Sequence, residues 1–99
     1  MSYRLKFLPT ALKEWHKLGP AIRDQFKKKL AERLENPRVP KDRLSGFSDH
    51  YKLKLRSVGY RLVYEVIDKE VVVLVIAVGK REGGKVYSVA KTRVNKKKS

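Results

Sequence analysis

Cationic side chains alternate with apolar ones in the stretch YKLKLRSVGYRLVYEV, residues 51–66. The alternation pauses at a glycine and then resumes, which is typical of a β-hairpin with one apolar face. The other face carries Lys52, Lys54, Arg56 and Arg61. Cations gathered on one face can bind a phosphate, and arginine matches its oxygens with paired donors.

The hairpin register follows from parity. Leucines at odd positions of the first strand must face the core together with apolar residues at even positions of the second. Opposed residues of an antiparallel pair share a face, and their numbers keep a constant sum. A loop of two or of four residues then gives the same pairing. The predicted pairs are Lys52 with Val63, Leu53 with Leu62, Lys54 with Arg61, and Leu55 with Tyr60.

The pairing of Lys54 with Arg61 sets two cations side by side, which destabilises a sheet by a few tenths of a kcal/mol or more. One interpretation is a solvated basic face that Glu65 partly relieves. The other is a site in which an anion lies between the cations. Lys52, Arg56 and Arg61 are then the phosphate contacts on the hairpin.

Three residues after the next strand can join this face. Lys80 and Arg81 follow Gly79, and Tyr87 follows two further glycines. An aromatic ring beside clustered cations can stack on a base while the cations hold the backbone. The alternative is that Tyr87 is an ordinary packing residue.

The composition points to a polyanionic partner. The 99 residues carry 25 Lys and Arg against 10 Asp and Glu, a formal charge of +15. Nucleic acid is the default partner of so basic a domain, and an acidic protein or an anionic membrane is the alternative. No apolar run is long enough to span a membrane, no secretory signal is visible and cysteine is absent, so we expect one cytosolic domain.

The elements that must position these residues follow a β-α-α-β-β-β order. A short strand at residues 2–9 precedes two helices, separated at Gly19-Pro20 and ended by Asn36-Pro37, which we expect to form an αα-hairpin. The loop at residues 36–50 is expected to be held by Leu44 and Phe47.

The strand at residues 71–79 is apolar on both faces, as in strands covered on both sides. The predicted fold class is therefore α+β: one compact domain with an antiparallel sheet and the αα-hairpin on one face. The chain can also end in a short C-terminal helix, and residues 92–99 read as a basic, flexible tail.

The blocks LKEWHKLG, KLKLRSVGYRLVYEVID and VVVLVIAVGKRE, together with Tyr87-Ser88, resemble the RelE toxins of bacterial toxin–antitoxin systems, within the RelE/ParE superfamily. The resemblance covers residues 3–91. It implies a microbial-RNase-like fold and a ribosome-dependent endoribonuclease that cuts mRNA in the A site of the 70S ribosome, against 16S rRNA. It also implies a RelB-like antitoxin and binding of operator DNA through the antitoxin complex alone.

The resemblance also implies a catalytic set, which matches this chain at Lys52, Lys54, Arg61, Arg81 and Tyr87, without metal or cofactor. The ParE branch, which poisons DNA gyrase, has the same fold without this set. The departures are the sequence Gly83-Gly84-Lys85, where close relatives are more charged, and the basic end NKKKS. They put in doubt how the Tyr87 segment is positioned.

Such a set can cleave RNA through its own 2′-OH, given a base, cations for the phosphorane and an acid for the 5′-oxygen. His16 and His50 read as surface or packing residues. A lysine crowded by cations more readily becomes a neutral amine, so Lys54 is the candidate base and Tyr87 its competitor. Arg81 would stabilise the leaving oxygen. A non-enzymatic RNA- or ribosome-binding module and a gyrase-poisoning toxin are the alternative functions.

Overall fold

The computed structural model describes residues 2–55, 58–80 and 82–98. Within them the chain forms four strands and three α-helices, with a 3-10 turn before β2 and another before α3. The bounds are β1 Arg4–Phe7, α1 Pro9–His16, α2 Pro20–Glu35, β2 His50–Leu55, β3 Tyr60–Ile67, β4 Val72–Lys80 and α3 Lys85–Lys98. None of the helices in these ranges is long and apolar enough to cross a membrane.

Prolines begin both helices of the first pair. Pro9 opens α1 and Pro20 opens α2, where a missing backbone N–H costs nothing and the fixed φ suits a helix. The predicted α+β class and the order of these elements are confirmed.

The four strands form one sheet in the order β1-β4-β3-β2. β2, β3 and β4 are antiparallel neighbours, but β1 pairs with β4 in parallel. The expectation of a purely antiparallel sheet was therefore wrong. The connection through α1, α2 and the following loop returns the chain to the end of the sheet where β1 started, so β2 and β4 both run in the direction of β1. The pattern of a four-residue strand carries no information on that choice.

The first face of the sheet is covered by α1 and α2. Ala11, Trp15, Phe26 and Leu30 pack there against the inward side chains of the sheet, such as Leu53. Trp15 links the strand and both helices, because its ring lies 5.2 Å from that of Phe7 and 6.1 Å from that of Phe26, centroid to centroid.

The second face is covered by α3, which is longer than the short C-terminal helix expected. Val86, Ala90 and Val94 recur every four residues and pack on Val63 and Ile76. β4 is thus buried on both faces, as its apolar run predicted. Helix α3 also includes residues 92–98, which were expected as a tail.

The loop before β2 is held as the sequence predicted. Leu44 and Phe47 are partly buried against the second core. Leu44 also donates its backbone N–H to the carbonyl of His50, 3.0 Å away, which ties the loop to the start of β2.

Candidate functional site

The predicted register of the cationic hairpin is confirmed. Lys54 lies opposite Arg61, and Lys52 lies opposite Val63. Because Val63 belongs to the second core, the cations lie on the face that α3 covers, not on the face of α1 and α2. We call Lys52, Lys54 and Arg61 the cation row.

The row continues onto β4 at a residue without a side chain. Arg61 lies opposite Gly79 there. A Cβ placed on Gly79 would be 4.0 Å from the Cβ of Val86, in ordinary van der Waals contact. The row therefore ends against the first turn of α3.

Burial differs along the row. Arg61 is 8% exposed, whereas Lys52 and Lys54 are half-buried. The Nη1 group of Arg61 donates to the carbonyl of Tyr60 at 2.9 Å. A guanidinium has five N–H donors, so this bond orients the group and leaves capacity for an anion.

Tyr87 lies in the first turn of α3 and is half-buried against the second core. This core contains Val63, the partner of Lys52, so Tyr87 is on the same face of the sheet as the cation row. It packs, as the structural alternative expected, and it is also on the face required by the functional one.

The other predicted phosphate contacts are placed less favourably or not described. Arg56 and Arg81 lie outside the described residues. Lys80 is exposed and lies opposite Tyr60, which packs against the first core. Since opposed residues share a face, the register puts Lys80 on the other side of the sheet from Arg61.

Neither histidine lies in the row. His16 is exposed at the end of α1, and His50 is a packing residue, 1% exposed, whose Nδ1 contacts the carbonyl of Ser48. Glu65 lies opposite His50, with 3.9 Å between its Oε1 and the Nε2 of the imidazole. The carboxylate considered as partial relief for the cations is therefore paired in register with the histidine.

The outer edge of β2 is anchored by Arg33 of α2. Its Nη1 donates to the carbonyl of Lys52 at 3.3 Å and to the hydroxyl of Tyr64 at 2.9 Å, while its Nη2 lies 2.5 Å from Asp42. Tyr64 in turn donates to the carbonyl of Pro37 at 2.7 Å. These bonds fix the backbone that carries Lys52 and Lys54.

Two pKa shifts follow from this arrangement. Burial opposes the charge on Arg33, but the hydrogen bonds and charges of Tyr64 and Asp42 outweigh it and raise the pKa of the guanidinium. Burial raises the pKa of the Tyr64 phenol, although Arg33 acts in the other direction. The anchor therefore stays charged at Arg33 and neutral at Tyr64 near pH 7.

Helix α3 is held by an ion pair that sequence reasoning missed. Arg93 donates from Nη1 and Nη2 to the two carboxylate oxygens of Glu14 on α1, at 2.9 and 3.0 Å. The same Nη1 donates to the carbonyl of Ile76, and Glu14 accepts the N–H of Val78. β1 ends before this part of β4, so the two side chains satisfy backbone groups that a longer β1 would have paired.

No sequence signal could have revealed this pair, since its members are 79 positions apart. In the part of the chain that the structure describes, no three His, Asp or Glu residues are grouped to hold a metal ion.

Comparisons with known proteins agree with this fold. Residues 5–83 match the family described as "ParE toxin of type II toxin-antitoxin system, parDE". The chain is 60% identical over 94 residues to the mRNA interferase toxin RelE of Escherichia coli K12 and to the mRNA interferase RelE of Shigella flexneri. In both cases the match covers 95% of this chain and 99% of the relative.

Solved structures give the same result. A mutant E. coli RelE in the free state superposes with a TM-score of 0.88 at 58% identity, covering 95% of this chain and 99% of that one. RelE in the intact E. coli RelBE toxin–antitoxin complex superposes with a TM-score of 0.80 at 60% identity, covering 82% and 99%. The chain belongs to the RelE/ParE family of type II toxin–antitoxin toxins, on its RelE side.

Proposed function

We propose that this protein is a ribosome-dependent endoribonuclease toxin that cuts mRNA in the ribosomal A site and so halts translation. The observation that carries the proposal is the pairing of Lys54 with Arg61 beside Lys52. Like charges opposed in a sheet cost stability, and a phosphate between them gives that arrangement a use. The relatives named mRNA interferases support it further.

The reaction needs no group beyond RNA and side chains. The 2′-oxygen forms a bond to the adjacent phosphorus, and the bond from phosphorus to the 5′-oxygen breaks. The proton of the 2′-OH passes to Lys54, whose neutral amine the charge of Arg61 favours. Tyr87 is the competing base. The products are a 2′,3′-cyclic phosphate and a 5′-hydroxyl.

The remaining residues hold charge in place. Lys52 and Arg61 bind the non-bridging oxygens and stabilise the charged phosphorane. Arg81 faces the leaving 5′-oxygen in this proposal. Because arginine does not readily lose a proton, that oxygen takes its proton from solvent. Much of the rate then comes from holding the 2′-OH in line with the phosphorus, which the ribosome can arrange.

Control of the activity follows from the same surface. A RelB-like antitoxin with acidic, amphipathic segments covers the cation row and inhibits the toxin. The toxin–antitoxin complex, rather than the toxin alone, binds operator DNA and represses the operon. The toxin acts in the cytoplasm, where its ribosomes are.

Primer extension on mRNA from cells that express the protein separates the competing functions. The nuclease predicts cuts inside reading frames. A non-enzymatic RNA- or ribosome-binding module predicts arrested translation with uncut mRNA. A gyrase poison, the function of the ParE branch, predicts DNA damage with intact mRNA. Intact mRNA under strong, growth-arresting expression would refute the proposal.

A further inference from the structure

A polar cavity of about 420 Å³ lies along the outer edge of β2. Lys29 and Arg33 of α2 line it, with Lys41 and Asp42 from the 3-10 turn before β2 and Lys54 from β2 itself. The volume is within the range of roughly 300–1,000 Å³ for small-ligand sites. Four cationic side chains thus surround a single carboxylate among the described lining residues.

The carboxylate of Asp42 is already engaged. Its Oδ2 lies 2.5 Å from Nη2 of Arg33, and the two side chains are 10% and 16% exposed. Arg33 is held from its other side by Tyr64 and the carbonyl of Lys52. The cavity therefore has a rigid, nearly neutral floor, and its three lysines leave it with an excess of positive charge.

Lys54 belongs to this cavity and to the cation row. It lines the cavity and lies opposite Arg61. Phosphates repeat along a single RNA strand, so a strand with one phosphate at the cation row can bring a neighbouring phosphate around the edge of β2. An acidic protein segment could also match the charge, but continuity through Lys54 favours the polyanion that the row binds.

We propose that this cavity, with Lys29 and Lys41 as its anion ligands, is a second RNA phosphate site that extends the cation row. The inference rests on the proposed function, because it takes RNA as the polyanion on the row. The two lysines are contacts that position RNA and take no part in bond breaking.

The test compares two variants of equal charge. Lys29→Gln/Lys41→Gln removes the two exposed cavity lysines. Lys28→Gln/Lys69→Gln removes one exposed lysine from the same helix and one from the turn between β3 and β4. Binding of 2′-O-methyl oligoribonucleotides, which lack the attacking hydroxyl, is measured by fluorescence anisotropy across a salt series and a length series. Circular dichroism melts confirm that both variants fold.

We expect the slope of log Kd against log salt to fall by about 0.7–1 in the cavity variant, the value for one lost phosphate contact. We also expect the affinity gained from an added nucleotide beyond the first phosphate to disappear. The control variant should keep that gain. Equal slopes and equal length dependence in the two variants would overturn the proposal. Unchanged RNA binding with weakened antitoxin binding would also overturn it and assign the cavity to an acidic protein segment.

Cleavage on programmed ribosomes then identifies the source of the phosphate. If the phosphate belongs to the mRNA, one uncharged methylphosphonate linkage near the cut bond should abolish the rate difference between wild type and the cavity variant. If it belongs to ribosomal RNA, the difference should survive every such substitution. Absence of any cleavage by wild type would refute the proposed function, whereas the oligonucleotide slopes would still decide the cavity.

Discussion

Glu14 and Arg93 form a two-point ion pair across the edge of β4, although they lie 79 positions apart. Glu14 belongs to α1 on the first face of the sheet, and Arg93 belongs to α3 on the second. Their side chains also accept from Val78 and donate to Ile76. The pair therefore joins the two layers of helices, and it holds in place the helix whose first turn carries Tyr87.

Replacing Arg93 by methionine should loosen α3. The change removes hydrogen bonds to a carboxylate and to a backbone carbonyl, so we expect a loss of about 1–3 kcal/mol in the free energy of unfolding. Native-state hydrogen exchange should quicken at Ala90 and Val94. Lys91→Met, at an exposed position of the same helix, is the matched control. Equal exchange in both variants would show that the ion pair does not hold the helix.

Removing one cation of the row should separate stability from activity. Arg61→Leu or Lys54→Ala removes the like-charge contact, so the domain should stay folded and gain up to a few tenths of a kcal/mol. Single-turnover cleavage on programmed ribosomes should fall about 10²–10⁴-fold, because a phosphorane contact or the base is lost. Arg61→Lys keeps the charge and serves as the control. Unfolding of Arg61→Leu would mean that the residue is structural.

Tyr87 can be tested as base and as stacking platform. Tyr87→Phe keeps the ring against the second core but removes the hydroxyl, whereas Tyr87→Ala removes both. If Lys54 is the base, the alanine variant should lose about tenfold or more in cleavage from lost stacking, and the phenylalanine variant should lose much less. Equal losses in the two variants would instead assign the base to the phenol.

The ends of the RNA fragments report the attacking group. Attack by the 2′-OH should leave a 2′,3′-cyclic phosphate on the upstream fragment and a 5′-hydroxyl on the downstream one. Preassembled ribosomes keep their structural magnesium in this experiment, and no other metal is added. A 5′-phosphate on the downstream fragment would show that water attacked the phosphorus and that the proposed mechanism is wrong.

Asp68 should make stability depend on pH at the acidic end. A hydrogen bond from Tyr3, together with Arg38, lowers the pKa of this carboxyl below its ordinary value of 3.8. The folded state therefore favours the carboxylate, and the stabilisation is present above that value and is lost as the pH falls through the lowered pKa. Asp68→Asn should lower the Tm at pH 7 and have less effect at pH 3. Glu70→Gln, exposed in the same turn, should show no such pH dependence.

The local pattern of the chain determined the cationic hairpin. Side chains alternate with a period of two in a strand, so the positions of Leu53, Leu55 and Tyr60 were enough to pair Lys54 with Arg61. The apolar run of β4 likewise predicted cover on both faces. The stripe of Val86, Ala90 and Val94 was a local signal for the covering helix, but the neighbouring glycines and lysines obscured it.

Only the tertiary structure decided which distant groups meet. The parallel pairing of β1 with β4 depends on how the helices return the chain, and a four-residue strand has no pattern that specifies it. The contacts of Glu14 with Arg93, and of Arg33 with Asp42 and Tyr64, join separate elements through single side chains. A charged residue on a helix reads as solvated in any local pattern, and it becomes a structural contact only when packing brings a partner to it.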